Sequence, residues 1–583
     1  MVVLASGSLA IPVGALSGRP GSSGIVTFAE PPGLALNYIF PFDPITSSTV
    51  NNVKQFQALM WRPLGWFGTN ETAARADPSL SLYSSVVYSD HVTKVTVHLK
   101  PYRWSDGRPL TSRDVEFSYD LYRYNEVQWS QWVPGQFPDN VASVHLPDRR
   151  TIVFGLTHPV NETWFTDDEL QLITPMPQHA WDKTSVDGVI GNYDRTAAGA
   201  VAVFNFLNQQ AMVLTTYATN QLWQVVDGPW RLVSFTPQGT ATFAANPRYS
   251  GPIKPSISRF EELPFSSQAK EFAALRAGTV DIGYLPFGRL AQKTTLESTG
   301  YRLAPWYNLA VGYALYNFAN PVVGRILSQL YVRQAVQRTE DQARIVKKVF
   351  GGYALATVGP VGRTPRSDLV SAYVRSDPNR FDIGAVRGLL QDHGWKVRPG
   401  SADICEKPGR GPGHCGLGIV RGSKLSFELL YPSGSELAAR EADSIKSTAA
   451  MAGIDITLVA HSFVDVVSTV GRCPSACNWQ LAFFGVPSYE PVLPTGENSF
   501  LPGSPLNLGG YRNASSTAAI KTLLRSSDPT AYFQYEDTVA RQLPWLWLPT
   551  PAYQLTMIKK DLKGVDPLNA YLYLTPENYR YDG

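Results

Sequence analysis

The stretch Leu99-Lys-Pro-Tyr-Arg-Trp-Ser-Asp-Gly-Arg-Pro-Leu-Thr-Ser-Arg-Asp-Val-Glu-Phe-Ser-Tyr-Asp-Leu-Tyr122 sets the reading of this chain, because it joins a strand, a turn and a capped helix. Just upstream, Val95, Val97 and Leu99 alternate with Lys94, Thr96 and His98, the period-two pattern of a half-buried strand. Ser105-Asp106-Gly107 supplies turn chemistry. Thr111 then starts a helix. Its hydroxyl is placed to accept from the backbone three residues on, where Asp114 offers a carboxylate to the positive helix end. Val115, Phe117, Ser118 and Leu121 form the inward stripe.

Residues Trp104 to Ser118 closely resemble the W-S-D-G-x-P-L-T-x-x-D-V-x-F-S signature of the family 5 extracytoplasmic solute-binding proteins, the peptide, oligopeptide and nickel receptors of ABC importers. Other segments resemble the family in order. Trp223-Gln-Val-Val-Asp-Gly-Pro-Trp-Arg-Leu232 followed by Asn246-Pro-Arg-Tyr-Ser-Gly251 is similar to its G-P-(Y/W)-x-L and N-P-x-Y elements. Ala274-Leu-Arg-Ala-Gly-Thr-Val-Asp-Ile282 is similar to its L-x-x-G-x-V-D element. Arg333-Gln-Ala335, Leu389-Leu390 with Gly394-Trp395, Gly453-Ile454 and Leu543-Pro544 through Leu548-Pro549 extend the likeness over roughly residues 25 to 583. The resemblance implies an α/β chain with a two-lobed, periplasmic-binding-protein-like (type II) fold, an inserted subdomain and a ligand cleft between the lobes.

Laid on that architecture, residues 1–24 are a signal-like or disordered segment. Residues 25–62, 186–287 and 546–583 make lobe I, 63–185 the inserted subdomain and 288–545 lobe II. Strands are expected at Val311–Phe318, Leu425–Tyr431 and Ile454–Val459, with a helix at Glu436–Ala452 whose Leu437, Ala438, Ala442, Ile445 and Ala449 recur at helical spacing. Two chain crossings would form the hinge.

Length and composition agree. A chain of 583 residues is too long for one core and predicts several domains. Its 44% hydrophobic and 17% charged residues describe an ordinary globular protein. A net charge of +3, with no basic run or basic amphipathic helix, gives no sign of a nucleic-acid partner. Fourteen Trp and 28 Tyr would suit a large cleft walled by rings with polar tips, and equally a ring-rich core. Met1 to Pro20 is apolar and rich in small residues, like the end of an export signal but without a basic start. Arg19 follows Leu16-Ser17-Gly18 where a lipoprotein box carries cysteine, so no lipid anchor is expected. No apolar run reaches the length of a membrane span. An exported, extracytoplasmic monomer is expected, meeting the membrane only through its transporter.

Four cysteines, Cys405, Cys415, Cys473 and Cys477, form an even set in a chain read as exported, which favours disulfides. The simplest pairing is local, Cys405 with Cys415 and Cys473 with Cys477, among three possible ones. His414 and His461 lie near them, but no C-x-x-C spacing is present and no metal is expected. His179, after Pro177-Gln178, resembles a structural family element.

The ligand segment implied by the resemblance is Trp479-Gln-Leu-Ala-Phe-Phe-Gly-Val-Pro-Ser-Tyr-Glu-Pro491, with Phe484, Gly485, Val486, Ser488, Tyr489 and Glu490 as candidate contacts. In peptide receptors of the family a similar segment carries an Asp that pairs with the peptide α-amino group. Here Ser488 stands at that place and Glu490 is the nearest carboxylate, which matters because a buried ammonium without a charge partner costs several kcal/mol. Asn37, Tyr38 and Phe40 are candidates for the opposite wall, with core packing as the alternative for the two rings. Asn308, Tyr313 and Asn317 are candidates on the strand that enters the second lobe, with a structural turn as the alternative for Asn317.

No G-x-S-x-G elbow, H-E-x-x-H helix or Walker loop is present. The glycines at Gly411 to Gly416 fall in a cysteine-flanked loop with no strand before it. No catalytic residue and no cofactor is expected. The expected function is capture of a peptide or similar oligomeric solute by lobe closure and its delivery to the permease subunits of an ABC importer. The alternatives are a same-fold receptor for an oligosaccharide, an opine-like compound or a metal chelate, and a transporter-independent sensor.

Overall fold

A computed structural model describes residues 24–68, 75–363, 369–471, 478–485 and 493–582. The decisive stretch folds as its pattern requires. Lys94–Leu99 is a strand with Val95, Val97 and Leu99 buried, and Ser112–Tyr124 is a helix that starts after Thr111. The Thr111 hydroxyl donates to the Asp114 carboxylate at 3.0 Å, and the Thr111 N–H donates to the same oxygen at 2.8 Å. Thr111 and Asp114 thus form the expected capping box, and the carboxylate engages the hydroxyl as well. Asp106 holds His179 through a 2.8 Å Oδ2 to Nε2 contact, and the imidazole packs edge-on against buried Trp104. His179 is thereby tied into the turn.

Around this element four antiparallel strands, in the order Tyr83–Ser89, Lys94–Leu99, Thr151–Leu156 and Val141–Asp148, form the sheet of the insert. The helix lays Tyr119 against Phe137 and Phe154.

A seven-stranded sheet carries the first lobe. Its order is Tyr301–Trp306, Gln554–Lys559, Ile282–Tyr284, Ile25–Ala29, Arg259–Leu263, Ala241–Ala245 and Trp230–Phe235. Ile25–Ala29 runs parallel to both neighbours, and Gln554–Lys559 returns from the far end of the chain to lie antiparallel between two strands. A five-stranded sheet carries the second lobe, in the order Asp455–His461, Ser426–Pro432, Leu481–Phe483, Gly312–Tyr316 and Trp545–Leu548. The helix Glu436–Met451 connects the parallel pair Ser426–Pro432 and Asp455–His461, a crossover that buries Ala438, Ala442, Ile445 and Ala449.

Because Tyr301–Trp306 belongs to the first sheet, the passage between sheets falls at residues 307–311, not at the expected boundary of 288. The return falls at 549–553. The two crossings lie side by side: Gly312 N–H donates to Thr550 Oγ1 at 2.8 Å and Tyr553 N–H to the Trp306 carbonyl at 2.7 Å. A Cβ on Gly312 would strike the Leu548 and Pro549 carbonyls, so the close approach requires glycine.

The Cys405–Cys415 disulfide is formed. Cys473 and Cys477 lie outside the described residues. Among the described residues no helix is long and apolar enough to cross a membrane.

Candidate functional site

A cavity of about 530 Å³ lies where the first lobe, the insert and the second lobe meet. The first lobe contributes Asp43, Lys54 and Gln57, together with Tyr571 and Tyr573 from the returning C-terminal segment. Asn51–Gln57 is a π-helix, whose wide turns are a recurrent device at functional sites, and Lys54 and Gln57 both reach the cavity from it. The insert contributes Tyr122, Trp129, Trp164, Asp168 and Glu169. Glu497, Asn498 and Leu506 close the cavity from the segment between the last two strands of the second sheet. A second cavity, also about 530 Å³, is lined only by residues 66–80, 249–256 and 564–580, away from the second sheet.

The insert is docked directly on the second lobe. Asn161 Nδ2 donates to the Leu523 and Ser526 carbonyls at 3.0 and 2.7 Å, and Asn161 N–H donates to the Leu524 carbonyl at 2.8 Å. Leu493 N–H donates to Asp168 Oδ1 at 2.9 Å. Glu497 is held by the Thr495 hydroxyl and by the side chains of Gln136 and Trp164.

The electrostatics of the cavity are dominated by carboxyls taken out of water. Burial pushes Glu169 up to about 8, helped by the nearby Glu497 charge, while the Phe137 N–H opposes it. Asp168 is raised well above the usual carboxylate range by burial, with Glu497, Asp167 and Glu169 adding to the effect. Burial also raises Glu497. Asp43 has a left-handed backbone (φ 58°) and is raised by burial against hydrogen bonds from Ser130 and Gln131 and the charge of Lys54.

None of the described residues expected from sequence lines this cavity. Asn37 is exposed and exchanges side-chain bonds with Asn52. Tyr38 and Phe40 are buried in the core, the second of the two roles open to them from sequence. The Tyr38 hydroxyl donates to Asn208 at 2.7 Å, and Phe40 is enclosed by Phe42, Trp181, Phe204 and Trp223. Asn317 takes the structural turn role given as its alternative. Its Nδ2 donates to the Trp479 carbonyl at 2.7 Å, and its Oδ1 accepts from Ala319 N–H.

Asn308 is buried within the crossing. Tyr313 stacks on Trp545 at 4.0 Å and meets half-buried Phe484 edge-on at 6.4 Å. Trp545 in turn packs on Phe500, three residues beyond Glu497. Gly485 has φ 72° and lies against Pro432 and Ala438. Val486, Ser488, Tyr489 and Glu490 lie outside the described residues. Asp43, Lys54, Asp168, Glu169 and Glu497 were not singled out from sequence. The signal available was the acidic run Asp167-Asp168-Glu169, one residue after the apolar pair Trp164-Phe165.

Two α/β lobes joined by paired crossings, with a solute-sized cavity walled from both sides, define a two-lobed cleft-binding protein. Residues 77–485 match the model of the bacterial extracellular solute-binding proteins, family 5, and the chain belongs to that family.

A relative from Brucella ovis, named for ABC-transporter peptide binding, is 24% identical over 313 residues, 53% of this chain and 50% of that protein. The chain thus spans about half the length of the Brucella relatives it matches. The oligopeptide-binding protein AppA from Bacillus subtilis, solved with a nonapeptide, superposes with a TM-score of 0.66 at 16% identity, covering 97% of this chain and 100% of that one. NikA from Brucella suis, solved with Fe(III)-EDTA, gives a TM-score of 0.69 at 16% identity, covering 96% and 100%. These likenesses establish a type II binding-protein fold.

Proposed function

We propose that this chain is an extracytoplasmic receptor that captures a peptide or similar elongated solute between its lobes and presents the closed form to the permease of an ABC importer. The observation that carries the reading is the cavity of about 530 Å³ walled jointly by the first lobe, the insert and the 497–506 segment of the second lobe. A ligand there touches both bodies and so favours the closed arrangement over any in which they part. The family and the peptide-bound and chelate-bound neighbours support the same class of function. Ser488 in place of the family's ammonium-pairing Asp keeps a non-peptide solute, such as a metal chelate, as the second reading.

Native mass spectrometry of the full chain, purified without denaturation, tests this by releasing and identifying what the cleft holds. A ladder of peptide masses supports the peptide receptor, and a single non-peptide mass moves the second reading forward. An empty cleft that stays empty with added peptides and chelates refutes both.

A further inference from the structure

We infer that the cavity selects a solute bearing an organic cation, an ammonium or guanidinium group, and that Asp168 and Glu169 of the insert together with Glu497 of the second lobe form the wall that receives it. This rests on the receptor reading above and adds the chemistry of what is received.

Three observations converge. The first is placement. Three carboxyls from two bodies line one cavity, and the charges that bear most on them are one another's and those of Asp167 and Asp139. Lys54 stands on the first-lobe wall, where its charge acts on Asp43.

The second is unmet hydrogen bonding. The Tyr571 hydroxyl, on a residue 4% exposed and beside Asp167 and Asp168, makes no hydrogen bond. Asp43 Oδ1, on a residue 7% exposed, makes none, and neither do Asp168 Oδ2 and Asn498 Oδ1. All four residues line the cavity. Asn498 Oδ1 accepts only, as do the Asp43 and Asp168 oxygens whenever those carboxyls are ionised, and the fourth atom is a hydroxyl, so with the carboxyls ionised the deficit is in donors. Ammonium offers three N–H donors and guanidinium five, with no acceptor to leave unpaired. A buried acceptor without a donor is costly, and a donor-rich ligand answers that cost.

The third is spread. Among the described residues no three His, Cys, Asp or Glu are arranged to hold a metal ion. Carboxyls dispersed over two walls suit a group whose donors point in several directions. The rings of Trp164, Tyr571 and Tyr573 supply faces for an aliphatic stem or a cation.

The test compares affinities of the full chain by calorimetry for three probes: an N-acetylated alanine-based oligopeptide whose one cation is a central lysine, the same acetylated peptide with norleucine in its place, and spermidine. The expected result is binding of the lysine peptide on the order of tenfold to a hundredfold tighter than the norleucine peptide, with that ratio collapsing to about twofold or less in Glu169→Gln/Glu497→Gln. Equal binding of the two peptides by the wild-type chain overturns the cation wall while leaving the receptor reading intact. Spermidine binding as tightly as the lysine peptide supports the wall and counts against a peptide ligand. Binding of none of the three overturns the inference outright. The wild-type comparison decides even where the double variant does not fold.

Discussion

Asn161 is where closure can be weakened without disturbing either lobe. Its Nδ2 donates to the carbonyls of Leu523 and Ser526, across from insert to second lobe, while its Oδ1 accepts from Trp164 N–H at 3.1 Å and caps the helical turn that leads to Asp168. Asn161→Asp keeps the capping oxygen and removes both cross-lobe donors, setting a carboxylate against two carbonyl oxygens. Two net hydrogen bonds are worth about 0.5–1.5 kcal/mol each. The closed arrangement is therefore expected to lose about 1–3 kcal/mol, which corresponds to about 5- to 150-fold in the closed-to-open ratio.

The assay is twofold: ligand affinity by calorimetry, and the radius of gyration by small-angle scattering with and without ligand. Affinity should fall by a factor in that range, the ligand-induced contraction should need more ligand, and the melting temperature of the ligand-free protein should move little. Asn161→Ala loses the cap as well and should lower both affinity and melting temperature. If Asn161→Asp leaves affinity and the scattering titration unchanged, the contact does not differ between open and closed forms and the placement of the closing surface is wrong.

Glu441, with no hydrogen bond to its Oε1 and Glu340 nearby, is pushed by burial up to about 8. Raised in the folded state, it binds a proton that the unfolded chain has already released, so it costs up to about 1.4 kcal/mol per pH unit as pH rises from the ordinary carboxylate range to about 8. Glu441→Gln should accordingly stabilise the protein at pH 8 and change it little at pH 4.5, as read by denaturant unfolding at the two pH values. Arg62 and Glu577 form a buried ion pair, 3% and 6% exposed, with the guanidinium over Trp66 at 3.6 Å. Arg62→Ala leaves the carboxylate alone and should cost about 3–5 kcal/mol in the same measurement, whereas a loss below 1 kcal/mol would show that the C-terminal return is held by packing alone. Removing the Cys405–Cys415 bridge, which spans a sequence separation of 10, should cost about 3 kcal/mol in the chain-entropy picture. Unchanged unfolding of Cys405→Ser/Cys415→Ser would refute that figure.

What was legible in the sequence was local. The alternation of Val95, Val97 and Leu99, the Thr111 start and the Glu436–Met451 stripe each depend on neighbours within a few residues, and each appears in the structure. Sheet membership of Tyr301–Trp306 depends on a partner strand more than 240 residues away, Gln554–Lys559, so the passage between lobes was placed too early. Tyr38 and Phe40 carry no sign of burial in their own segment. Their enclosure comes from Trp181, Phe204, Asn208 and Trp223, which no local pattern announces. The cavity carboxyls were illegible for a related reason. Asp168 and Glu169 sit in a short helical turn that reads as a solvated acidic run, and contacts distant in sequence, Leu493 N–H to Asp168 and Phe137 N–H to Glu169, hold them in place.

On the proposed cation wall, that docking would make selection and closure a single event. Moving the second lobe onto the insert would bring Glu497 up to Asp168 and Glu169, whose ionisation its charge makes costlier. Without a cation, closure is opposed by carboxyl repulsion or by the protons needed to relieve it. With a cation between them, the same three groups change sign and draw the lobes together. A receptor that is about 99% open when empty and about 99% closed when loaded needs about 5.5 kcal/mol of preference for the closed form. Aromatic contact area favours closure around any apolar solute, whereas an acidic pair of walls favours it only around a positive one. Carboxyls divided between two moving bodies therefore penalise closing empty and reward closing on the right charge, which contacts confined to one lobe could not do.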